Sequence, residues 1–151
     1  MFLIVGLIML MTAVAVTFVQ AQLPVEDNHW QEKVDAWVLQ TADPALAAPG
    51  EGLPQTEFLV VLAEQGDVSG ADALSTKEEK GQYVYETLMA VARRTQPALI
   101  NQLEIAGVPY RQFWVVNMIW VQGDMDLVRQ MAHRDDVAHI AANPTVKLDL
   151  L

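Results

Sequence analysis

Hydrophobic residues along this chain change their spacing several times, and each change marks an element. From Phe2 to Val19 almost every position is apolar, and no charged side chain occurs before Glu26. From Asn28 to Gln40, NHWQEKVDAWVLQ sets Trp30, Val34, Trp37 and Val38 at helical spacing with Glu32, Lys33 and Asp35 opposite, which predicts a short amphipathic helix. Its acidic face favours packing on its own domain over contact with an anionic membrane. TADPALAAPGEGLPQ, residues 41–55, is rich in Ala, Pro and Gly and predicts a linker, with the compact domain beginning after it.

EFLVVL, 57–62, is a continuous apolar run bounded by the polar AEQGDVSG, as expected of a buried central strand. Ser75-Thr76-Lys77-Glu78 offers a capping box for a helix whose apolar stripe is Val84, Leu88, Val91, Leu99 and Leu103. Pro97 lacks an N–H and crowds the preceding turn, so this helix is expected to bend or restart near Thr95. Gly107 is placed to end it in the left-handed conformation. YRQFWVV and MIWVQ then predict two antiparallel strands joined tightly around Asn117. Asp124 is the expected cap of a short helix with Leu127, Val128 and Met131 inward and His133 and Arg134 near its negative end. VAHIAA, 137–142, is the last strand and stops at Asn143-Pro144.

The order strand, helix, strand, strand, helix, strand predicts an α+β fold of ferredoxin-like βαββαβ type, an antiparallel sheet with two helices on one face. Such a sheet normally alternates apolar and polar residues, because only one side is packed. Here Phe113 and Val115 are opposed by Trp114 and Val116, and Ile119 and Val121 by Met118 and Trp120, so both faces are apolar. An exposed patch of that size is expected to dock on another protein.

Composition narrows the partners. With 19 acidic and 9 basic residues the net charge is -10, which repels nucleic-acid backbones and anionic lipid surfaces. Cysteine is absent, so disulfides, thiolate metal sites and a cysteine nucleophile are excluded. The apolar run ending in Val19-Gln20-Ala21 suits a secretory signal peptide spanning 1–21, with an uncleaved anchor as its alternative. The expected organisation is then a signal peptide at 1–21, an amphipathic helix and linker at 22–56, a compact domain at 57–148 and a short tail at 149–151.

Catalytic chemistry is not expected. The serines are Ser69 and Ser75, both in a polar loop without a GxSxG setting. His29, His133 and His139 fall in separate elements without ligand spacing, so neither a metal nor a cofactor is expected. An acylphosphatase-like activity needs an anion cradle that AEQGDVSG, acidic and without arginine, does not offer. A base-stacking role for the strand aromatics conflicts with the net charge.

Between Glu57 and Leu148, the segments EFLVVL, TKEEKGQYVYETL, RTQPALINQLE, FWVVNMIWVQGD and DVAHIAANPTVKL together resemble the propeptide and inhibitor domains of subtilisin-like serine proteases. That resemblance implies a secreted, non-enzymatic domain that assists folding of the cognate protease and then inhibits it. It implies that a sheet face carrying Trp114, Val116, Met118 and Trp120 docks on the protease. It implies also that the tail formed by Pro144, Thr145, Val146, Lys147, Leu148, Leu150 and Leu151 enters the substrate cleft. An extended tail adds a strand there, and Val146, Leu148 and Leu150 alternate as a strand requires. The chain is expected to act as a free-standing inhibitor, in trans on a separately encoded protease, or as the leading part of a protease precursor. The competing reading is a secreted or membrane-anchored interaction module that homodimerises through the sheet face.

Overall fold

The computed structural model describes residues Asn28–Asn143, and it is α+β. Four strands, β1 (Thr56–Leu62), β2 (Tyr110–Phe113), β3 (Met118–Gly123) and β4 (Val137–Ala142), form one sheet in the order β2-β3-β1-β4, with every neighbouring pair antiparallel. β1 is central, as its run of β-branched and apolar residues predicts. The expected signal peptide at 1–21 and the tail residues 144–151 lie outside the described residues. No helix among those described is long and apolar enough to cross a membrane.

The helices follow from local signals. Thr76 caps α2 (Lys77–Thr95) through a reciprocal box: its hydroxyl accepts from the Glu79 N–H, and the Glu79 carboxylate accepts from the Thr76 N–H. The box therefore sits one residue later than Ser75 and Glu78 suggest. Acidic Glu78 and Glu79 in the first turn and Arg93 and Arg94 in the last complement the helix dipole. The expected bent helix is two helices, because Pro97 opens α3 (Pro97–Ala106) and only Gln96 stands between them. Gln96 keeps right-handed helical angles, so the chain direction changes with little loss of hydrogen bonding. Gly107, at φ 67°, ends α3 in the left-handed conformation that its missing Cβ permits. Asp124 caps α4 (Met125–Ala132) by accepting from Leu127 N–H at 3.0 Å. Gly123 ends β3 where a Cβ would run into the Leu127 side chain, which lets α4 fold back closely on the sheet.

One buried cluster joins these elements: Phe58, Val60 and Leu62 of β1, Ile119 and Val121 of β3, Val137 and Ile140 of β4, Leu99 and Leu103 of α3, and Leu127, Val128 and Met131 of α4. Trp30, Val34, Val38 and Ala42 belong to the same cluster, so the N-terminal segment is part of the packed unit, and the domain does not start at Glu57. That segment is not a single helix. A 3₁₀ turn (Asn28–Lys33) gives way to α1 (Ala36–Thr41) at Val34, which bridges in parallel to Ile140 while Asp35 N–H donates to the Ile140 carbonyl at 2.9 Å. The edge of β4 takes these two residues as a rudimentary fifth strand, which is why the helical spacing breaks there. Trp30 packs beside α4, stacked on the His133 ring and with the Arg129 guanidinium 5.4 Å from its centroid. Lys33 Nζ donates to the Arg134 and Val137 carbonyls and ties the same segment to the turn after α4.

The hairpin differs most from its expected form. Strand pairing stops at Phe113, and residues 114–117 form the turn, so YRQFWVV is not strand throughout. Asn117 is not an exposed turn residue; it is 2% exposed and sits in a buried polar cluster. Its side-chain NH₂ donates to the Glu64 carbonyl at 2.7 Å and to Thr95 Oγ1 at 2.8 Å, and its Oδ1 accepts from Gln96 Nε2 at 2.9 Å. The Gln65 amide meets its backbone twice, accepting from Asn117 N–H and donating to Asn117 C=O. Anchoring Asn117 inward pushes Trp114, Val115 and Val116 out as the tip of the hairpin. This is the physical reason that Trp114 and Val116 leave the sheet.

Candidate docking face

The sheet has a second face, and its composition follows from the two-residue period of the strands. In β1, Thr56, Phe58, Val60 and Leu62 are buried while Glu57, Leu59 and Val61 are only partly so; in β3, Ile119, Val121 and Gly123 are buried while Met118, Trp120 and Gln122 are only partly so. None of the outward side chains of β1 and β3 belongs to the buried cluster. Register arranges them in rows across the sheet. Arg111, Trp120, Leu59 and Ala141 form one row, and Phe113, Met118, Val61 and His139 the next. Glu57 and Gln122 pair at the end. The centre is apolar, and its margin mixes the charged or polar Arg111, His139, Glu57 and Gln122 with Phe113 and Ala141, so a dry centre is only partly ringed by polar groups.

Trp120 is the largest group on this face and is held on two sides. Its indole N–H donates to Glu57 Oε2 at 3.2 Å, and the Arg111 guanidinium lies 5.8 Å from the ring centroid. At the β4 edge, His139 Nε2 stands 2.8 Å from Asp35 Oδ1, and Asp35 Oδ2 accepts from the Ala142 N–H at 2.8 Å. The Ala142 N–H holds the Asp35 carboxyl below the usual aspartate range; burial opposes this, and His139 adds to the lowering.

The residues expected to dock therefore divide. Met118 and Trp120 lie on the outward face, whereas Trp114 and Val116, together with Val115, are exposed at the hairpin tip by 38%, 45% and 62% respectively. Trp114 packs edge-on against Tyr85 of α2, with ring centroids 5.3 Å apart, and lines a shallow cleft with Met89, Ala92 and Phe113. The cleft-binding residues Pro144, Thr145, Val146, Lys147, Leu148, Leu150 and Leu151 lie outside the described residues. The sequence reading omitted Leu59, Val61, Arg111 and Glu57. A strict two-residue period applied to EFLVVL names the first two, because Leu59 and Val61 alternate with the core residues Phe58, Val60 and Leu62.

Among the described residues, the N-terminal segment from Trp30 to Ala42 does not cover this face: its buried side chains share the cluster of Phe58 and Ile140, on the opposite side. The three histidines all have local contacts, His29 with Glu32, His133 with the Arg129 carbonyl and His139 with Asp35. Among the described residues, no group of three or more His, Asp or Glu side chains is placed to hold a metal ion. Searched against family models, curated proteins and solved structures, the chain matches none of them.

Proposed function

We propose that this chain is a propeptide-type inhibitor and folding assistant of a secreted subtilisin-like serine protease, and that it is exported by its N-terminal apolar run. Its fold on this reading is ferredoxin-like, the split βαβ in which outer strands β2 and β4 flank β3 and β1 and the helices share one side. One observation carries the proposal: an apolar stripe of Leu59, Val61, Met118 and Trp120, on a rigid sheet, is left out of the domain's own core. These four side chains are half-buried and stand outside the core, so an apolar partner surface is their natural complement. The resemblance of the segments between Glu57 and Leu148 to protease propeptides is what suggests that partner, and on this reading the tail beyond Asn143 makes a second contact in the cleft.

The test is inhibition. Mixing the protein at micromolar concentration with a subtilisin-like protease encoded beside it should slow hydrolysis of a chromogenic peptide. Undiminished hydrolysis rejects the proposal, and a stable homodimer buried through Trp120 replaces it with the dimerisation reading.

A further inference from the structure

Two parts of the proposed inhibitory surface, the sheet face and the chain beyond β4, meet at one atom. Glu57 Oε2 accepts the Trp120 indole N–H at 3.2 Å and the Asn143 side-chain NH₂ at 2.8 Å. Arg111 steadies the same indole through its ring. From the outer edge, the Asp35 carboxylate holds the neighbouring Ala142 N–H. The end of β4 is thus gripped by two carboxylates from different elements, and one of them also sets the orientation of the largest side chain on the docking face.

We infer that Glu57 is a positioning residue that couples Trp120 to Asn143, the residue from which Pro144–Leu151 continue; its effect on inhibition rests on the function proposed above. An indole free to change rotamer loses that freedom on binding, whereas one already held loses little, so fixing Trp120 in the free protein strengthens association. Because a single carboxylate oxygen serves both donors, displacing Asn143 alters the indole's acceptor without touching the indole itself. The coupling therefore runs through a contiguous hydrogen-bonded triad, and a double-mutant cycle measures it.

The experiment uses the full 151-residue chain. In the free protein, Asn143→Ala should shift the Trp120 indole N–H resonance and speed its exchange with solvent. Glu57→Ala should do so more strongly, while Glu57→Gln, which keeps a carbonyl oxygen, should retain a slowly exchanging indole. Asn143→Ala removes a side chain at the end of the last strand, so it reports even where Glu57→Ala fails to fold. An indole signal unmoved by Asn143→Ala overturns the coupling. In the inhibition assay Glu57→Ala should weaken binding about tenfold, the loss of one anchoring interaction, and should add less than that on the Asn143→Ala background. Fully additive losses also overturn it. If the wild-type chain slows no subtilisin-like protease, the inhibitor reading fails, while the indole measurements still decide the role of Glu57.

Discussion

Asn117 shows how one buried amide can fix the geometry of a segment that its neighbours leave undetermined. It joins the loop after β1, the end of α2 and the start of β3, and truncation leaves the Glu64 carbonyl without that donor while Gln96 and Thr95 each lose one partner. Asn117→Ala should cost about 3 kcal/mol of unfolding free energy, the scale expected when a buried polar network is left partly unsatisfied. Urea denaturation of the two proteins measures it. Asp35 makes a pH-dependent contribution whose sign follows from its lowered pKa. The folded state prefers the ionised carboxyl, so the stabilisation is present above the ordinary aspartate value of 3.8 and is lost as pH falls through the lower folded value. The stability gap between wild type and Asp35→Asn should therefore close as the solution is taken below pH 3.8, as followed by thermal unfolding at a series of acid pH values. A gap that stays open or widens below that value would contradict the assignment.

At the scale of elements, what the sequence made legible was local. The strand character of EFLVVL and VAHIAA, the cap at Asp124, the restart at Pro97 and the turn at Gly107 each depend on residues within a few positions of one another. The hairpin was not legible in the same way. Trp114, Val115 and Val116 are as strand-prone as the residues around them, and what removes them from the sheet is a set of bonds from Asn117 to residues 21 to 53 positions away. The N-terminal segment was legible in part as a stripe that packs, since Trp30, Val34 and Val38 are buried while Trp37 of the same stripe is 40% exposed, but not as a strand-like bridge to β4. Its contribution can be tested directly. Trp30→Ala should destabilise the whole domain by about 3 kcal/mol, because a large aromatic is removed from the shared core. A segment that merely leads into the domain would show almost no change in the same denaturation curve.

For the molecule as a whole, the proposed inhibitor reading assigns stability and recognition to opposite faces of the sheet. Side chains on one surface close the core, while the half-buried Leu59, Val61, Met118 and Trp120 on the other stand outside it, so on that reading substitutions there should divide the two properties. Trp120→Ala should weaken inhibition by about 2 kcal/mol, roughly thirtyfold, while moving the unfolding midpoint far less than Trp30→Ala. Deleting residues 145–151 should likewise weaken inhibition and leave the folded core in place, because the core residues named above, Trp30 to Ile140, all precede the deletion. Titration against the protease, run beside thermal melts of the same samples, measures both. The sequence displayed the apolar excess of this surface and two of its central residues. Its boundary became visible only once strand register was known.

The short parallel bridge at Val34 carries one more consequence. An unpaired outermost strand is a template on which like chains can stack, and here two residues and one carboxylate occupy that margin of β4. A protein shortened to begin after Ala42 would present a bare, sticky rim along with a breached interior. It should be lost first to fibrillar or amorphous precipitate on storage, measurable as rising light scatter, while the longer chain stays clear.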